Sequence, residues 1–172
     1  MPTFRTTEGL EIAIAPVSMR LAQMILQKVE RELRAEGLPL DPPTYTVETA
    51  LGQKETYPLD TESAETDEQK AQLAAYEAAN LRKMALYRER LTTAAIKRGI
   101  KIGPPPAEWV KEMKADGFDL PEDPDDLRAE YLLVEYLKTP ADISGVVLAI
   151  LKLSSEGAPQ EDIDSVRATF QH

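Results

Sequence analysis

A chain of 172 residues, 42% hydrophobic and 29% charged, has the composition of a folded protein with one real core, or of a small domain carrying an extended arm. Its formal net charge of -10, from 30 acidic against 20 basic residues, repels a phosphate backbone and argues against broad nucleic-acid binding. There is no cysteine, which excludes disulfides, thiolate nucleophiles and cysteine metal sites, and the only histidine is the last residue, His172, which argues against a serine-histidine or multi-histidine metal site within one chain.

At the N-terminus, TFRTTEGLEIAIAP predicts a hairpin: Thr3 to Thr6, a turn through Glu8 and Gly9, then Leu10 to Ala15 with Leu10, Ile12 and Ile14 alternating onto one face. The same stretch lacks the basic start and continuous apolar core of a signal peptide, and the longest apolar run, Val146 to Leu151, is too short to span a bilayer. No membrane association is expected. From Val17 the period becomes helical, with Val17, Leu21, Ile25, Val29 and Leu33 recurring every fourth residue and Gly37 placed as a C-terminal cap. That stripe is a core face or a docking face for a partner helix.

Pro39, Pro42 and Pro43 then disfavour helix, and TYTVETA and KETYPL have the residue types of two strands joined through Leu51, Gly52 and Gln53. Tyr45, Val47 and Thr49 fall on one side, and Thr44, Thr46 and Glu48 on the other. An isolated ribbon of this kind is marginal, so it is expected to join the N-terminal hairpin in one sheet or to pair with another subunit. Val47 is the residue whose change tests that packing.

A long helix is predicted over about 66–98, with Thr66 as cap, Asp67 and Glu68 at the positive end of the dipole and Lys97 and Arg98 before Gly99. Leu73, Tyr76, Asn80, Met84, Tyr87, Leu91 and Ala94 follow a three-four spacing, which suits an amphipathic helix over a core and also permits a coiled-coil seam registered by Asn80. Pro104 to Pro106 form a stiff connection to a short helix over about 107–115, on which Trp109, Val110 and Met113 lie together. Trp109 is a candidate interface anchor if exposed.

The segment DGFDLPEDPDD carries Asp116, Asp119, Glu122, Asp123, Asp125 and Asp126, yet lacks the glycine and terminal glutamate of a calcium-binding loop. It reads instead as a turn and N-cap, with Asp125 or Asp126 opening a helix through Lys138 whose Leu127, Tyr131, Val134 and Leu137 face a core. A further helix begins at Thr139 or Pro140 and runs to about 156, with Ile143, Val146, Val147, Ile150, Leu151 and Leu153 apolar; it should be the most buried element of the C-terminal half. Gly157 closes it, and a last helix is predicted from Pro159 to Phe170. The expected fold class is α+β, mainly α: a helical domain with a small antiparallel sheet or ribbon near the N-terminus. The expected organisation is an α+β part over 1–103 and a helical part over 104–172, with one continuous domain as the alternative.

The acidic residues have no partner histidine, no paired motif of defined spacing and no phosphate-cradling glycine loop. No catalytic residue, metal or cofactor is therefore assigned. Carboxylates brought together only in three dimensions would make the alternative, a small enzyme or regulatory factor with an unrecognised acidic site.

The order of features from residue 38 to 100 resembles small proteins of tailed-bacteriophage tail gene clusters, including tail assembly chaperone-like proteins. A short N-terminal β segment and a proline-led TYTVETALGQKETYPLD precede DEQKAQLAAYEAANLRKMALYRERLTTAAIKRGI, with Pro42, Pro43, Tyr45, Tyr57, Asp60 and Tyr76 at the matching places. The helical C-terminal part departs from that pattern. The resemblance implies a non-enzymatic role in binding tail components such as the tape-measure protein, a tendency to homo-oligomerise, and a location in the cytoplasm of the infected bacterial host or in the virion. The residues expected to bind protein partners are Tyr45, Val47, Tyr57, Tyr76, Met84, Tyr87 and Trp109.

Overall fold

The computed structural model describes residues 1–156. Gly157 and the helix expected at 159–170 lie outside the described residues. Within them the chain is mainly helical, with two antiparallel two-stranded sheets, the first near the N-terminus, so the fold is α+β and mainly α. The elements in order are β1 (Thr3–Arg5), β2 (Glu11–Ala13), α1 (Met19–Ala35), β3 (Thr44–Glu48), β4 (Lys54–Pro58), α2 (Asp67–Gly99), α3 (Ala107–Ala115), α4 (Pro124–Glu135) and α5 (Pro140–Ser154).

The described residues form two compact units, one of residues 1–23 with 89–156 and one of residues 24–88. This differs from a division at 103, because hydrogen bonds and packing tie the N-terminal hairpin to the C-terminal helices. Ile14 bridges Ile100, and the backbone bonds Ala15 N to Gly99 O and Lys101 N to Ala13 O continue that pairing, so IKI is an extended segment on the free edge of β2. The backbone N–H of Val17 donates to Ser154 Oγ at 2.7 Å. Asp142, at the start of α5, accepts from Thr7 in the β1–β2 turn.

In this first unit the core consists of Ile12 and Ile14 from the hairpin, Leu91, Ala95 and Ile96 from α2, Leu132 from α4, Leu137, and Val146, Val147 and Ile150 from α5. The prediction that α5 dominates burial here holds. Leu10, where the turn closes, is 39% exposed, while Ile12 and Ile14 are buried. On α4 the N-cap is Asp123 rather than Asp125 or Asp126, since its side chain accepts from both of their N–H groups and Pro124 takes the first helical position. The helix ends at Glu135, three residues before Lys138, where Leu137 N bonds Leu132 O. The buried face of α4 is that of Ala129 and Leu132, whereas Leu127 and Tyr131 are half-buried and Val134 is exposed; Leu137, just past the helix, is buried as expected.

The second unit is built on α1 and α2. Val29, Leu33 and Ala79 pack with Leu40, and Ile25, Leu38 and Leu86 cover them. The C-terminus of α1 closes as a Schellman motif, with Leu38 N to Leu33 O and Gly37 N to Arg34 O, and Leu38 reaches back onto the helix. At the start of α2, Thr66 Oγ1 accepts from Gln69 N while Gln69 Oε1 accepts from Thr66 N and Glu65 N, a reciprocal capping box. Both the cap and the stop are written in the local sequence.

The two hairpins do not join. β3 and β4 form a sheet of their own, which overturns the first of the two expected arrangements, a single sheet with the N-terminal hairpin.

Candidate functional site

Both hairpins are closed by the same turn. In Thr6-Thr7-Glu8-Gly9-Leu10, Gly9 N donates to Thr6 O, Thr6 N to Leu10 O, and Leu10 N to Thr6 Oγ1. In Thr49-Ala50-Leu51-Gly52-Gln53 the corresponding bonds are Gly52 N to Thr49 O, Thr49 N to Gln53 O and Gln53 N to Thr49 Oγ1. The glycines lie at φ 84° and 71°, the left-handed region that a three-residue hairpin loop requires at that position. The recurring T-x-x-G-x string was a readable signal for both loops.

The second hairpin is fastened at its base and bare along its length. Leu40 and Leu59 are buried to 7% and 5% exposure on either side of the strand pair. Arg34 reaches forward to Asp41 in a two-pronged pair at 2.7 and 2.8 Å, which lowers the Asp41 pKa, and Asp60 caps the following turn through Ser63. Beyond this base, Tyr45 is half-buried, Val47 is 44% exposed and Leu51, at the tip, is 87% exposed.

The register pairs Thr44 with Pro58, Tyr45 with Tyr57, Thr46 with Thr56, Val47 with Glu55 and Glu48 with Lys54. One face therefore carries Tyr45, Val47, Tyr57 and Glu55, and the other is polar. The Tyr45 and Tyr57 rings meet at 5.8 Å between centroids, and the Tyr57 hydroxyl donates to Glu55 Oε2, which holds its pKa above the ordinary phenol value. An aromatic pair with an adjacent exposed valine is a surface suited to protein contact, because it offers apolar area at little side-chain entropy.

The other expected partner-binding residues separate into two groups. Tyr76 and Met84 are half-buried on α2, and Met84 lines a shallow concavity of 360 Å³ with Glu77, Asn80 and Leu81, the last of which is 74% exposed. Tyr87 is 2% exposed and its pKa is pushed up to about 12 by burial. Trp109 is 9% exposed, with Nε1 donating to Glu135 Oε1 at 2.9 Å and its ring edge-on to Tyr131 at 5.0 Å. These two aromatics are packed inside the fold, and the three-four spacing that selected Tyr87 marks core as readily as interface.

Among the described residues no cluster of three or more His, Cys, Asp or Glu is placed to hold a metal ion, and no helix is long and apolar enough to cross a membrane. Searches against protein-family models, curated proteins and solved structures give no match.

Proposed function

We propose that this chain is a non-enzymatic interaction protein of tailed-bacteriophage tail assembly, acting in the infected host cytoplasm or in the virion, and that the β3–β4 ribbon is its principal binding element. The observation that carries this reading is a ribbon face on which half-buried Tyr45 lies beside exposed Val47 and Tyr57, with full burial confined to the ribbon's base. Sequence order over 38–100 supplies the tail-assembly context. Tail components such as the tape-measure protein present long apolar helical segments, against which the aromatic ribbon face and, separately, the Leu81 and Met84 surface of α2 offer apolar area.

Pull-down of the full chain with a soluble tape-measure segment, read by size-exclusion light scattering, tests it. Co-elution that is lost in Tyr45→Ala with Tyr57→Ala is the expected result. Failure to bind any tail component overturns the tail-assembly reading.

A further inference from the structure

The ribbon has two outer strand edges, and they are not equivalent. Leu59 N donates to Pro43 O below the ladder and Thr49 N donates to Gln53 O above it. Antiparallel pairing alternates between residues that exchange bonds across the pair and residues that do not, so the exchanging pairs are Tyr45–Tyr57 and Val47–Glu55. The N–H and C=O groups of Thr44, Thr46 and Glu48 consequently point away from β4, and those of Lys54, Thr56 and Pro58 point away from β3. Pro58 has no N–H to offer.

The β4 edge is thus interrupted by proline, in the manner by which sheet edges are protected from pairing, whereas the β3 edge presents three consecutive outward donor and acceptor sets. Among the described residues no strand pairs with that edge, and Thr44, Thr46 and Glu48 are exposed.

Resting on the reading of the ribbon as a protein-binding element, we infer that its β3 edge pairs antiparallel with β3 of a second copy of this chain, centred on Thr46 opposite Thr46. Three observations select that occupant and register. First, centring on Thr46 overlaps all five residues of the strand and brings the outward groups of Thr44, Thr46 and Glu48 against their counterparts in bonding phase. Second, it sets Tyr45 opposite Val47 of the other copy, extending the aromatic face as an aromatic and β-branched cross-strand pair. Third, it sets Glu48 opposite Thr44, so the one charged residue of β3 meets no like charge; centring on Glu48 would oppose two carboxylates. The product is a sheet of four strands, two from each copy, with a continuous Tyr57-Tyr45-Val47 face. A lone two-stranded ribbon is marginal in water, and two further strands supply what it lacks.

The test uses full-length chain and exploits its lack of cysteine. Wild type should elute at twice its 19.1 kDa mass by light scattering at high concentration. Thr46→Pro deletes an outward N–H on the β3 edge and should return the protein to monomer, while Thr56→Pro deletes the equivalent N–H on the β4 edge and should leave the dimer intact. Because either proline could loosen the ribbon, single-cysteine variants give an independent reading: T46C should form a covalent dimer under mild oxidation and T56C should not. Wild type that stays monomeric, dimers lost equally in both proline variants, or cross-linking equal in both cysteine variants each overturn the inference. A monomer that still binds a tape-measure segment defeats self-pairing alone; a β3-dependent dimer that binds no tail component defeats the tail-assembly reading alone.

Discussion

Asp142 grips Thr7 with both carboxylate oxygens: Oδ1 accepts the backbone N–H at 2.7 Å and Oδ2 the hydroxyl at 2.8 Å. Oδ2 also accepts from Thr139 Oγ1, and the Thr139 oxygen in turn caps Asp142 N, so one 3% exposed aspartate closes the start of α5 onto the first hairpin turn. The Thr7 backbone bond, followed by the Thr139 and Thr7 side-chain bonds, outweighs burial and holds the Asp142 carboxyl below its usual pKa. A depressed folded pKa means stability that is present in full above the unfolded value of about 3.9 and is lost as pH falls through the folded value. Urea melts across pH should show wild type weakening in that acid window. Asp142→Asn should be less stable at neutral pH and flatter in acid; equal slopes would remove the charge from the account.

Gly99 tests how tightly α2 and α5 meet. A Cβ built there would lie 2.7 and 2.8 Å from two Ile150 side-chain carbons, and Ile150 is itself fully buried. Gly99→Ala should therefore destabilise by about 1–3 kcal/mol through overpacking, despite alanine's better helix propensity. Chemical denaturation gives the number, and Gly99→Ala combined with Ile150→Val should recover part of the loss.

The two copies of the T-x-x-G-x turn separate local from global stability. Alanine at Gly9 or Gly52 must adopt a left-handed conformation costing about 1–2 kcal/mol at either site. Gly9→Ala strains a hairpin whose Ile12 belongs to the core, and should lower the global unfolding free energy. Gly52→Ala should leave that nearly unchanged and instead speed amide exchange in 44–58, because the ribbon body is mostly exposed and few buried contacts oppose its local opening.

Val47→Lys places a charge on the apolar ribbon face at a position already 44% exposed. Stability should move by no more than about 0.5 kcal/mol, as for a surface substitution. Association, measured by sedimentation equilibrium, should fall sharply. Loss of folding instead would show that Val47 is buried against the body of the protein.

Much of this architecture is legible in the sequence, and the failures have physical causes. Helix ends marked by Thr66, Gly37, Thr139 and Pro140 were readable because capping is local chemistry. The unit boundaries were not, since they depend on pairing between Ile14 and Ile100 and on Thr7 finding Asp142, partners 86 and 135 residues distant that no local pattern connects. In the candidate site, the ribbon and its Tyr45-Val47 face were visible as alternation. The distinction between its edges was hidden, because the meaning of Pro58 depends on which carbonyls the turn brings into phase. Tyr87 and Trp109 show the limit of reading aromatics: spacing locates a face, and burial alone decides whether that face meets a partner or the core.

The proposed assembly role rests on the aromatic face of the β3–β4 ribbon. Its most direct measurement is light scattering of the full chain with and without a long apolar helical segment of a tape-measure protein, alongside the Tyr45→Ala, Tyr57→Ala double variant. A shift in mass is expected for wild type and none for the double variant, with both folded by circular dichroism. An unchanged wild-type mass, or an equal shift for the double variant, would contradict it.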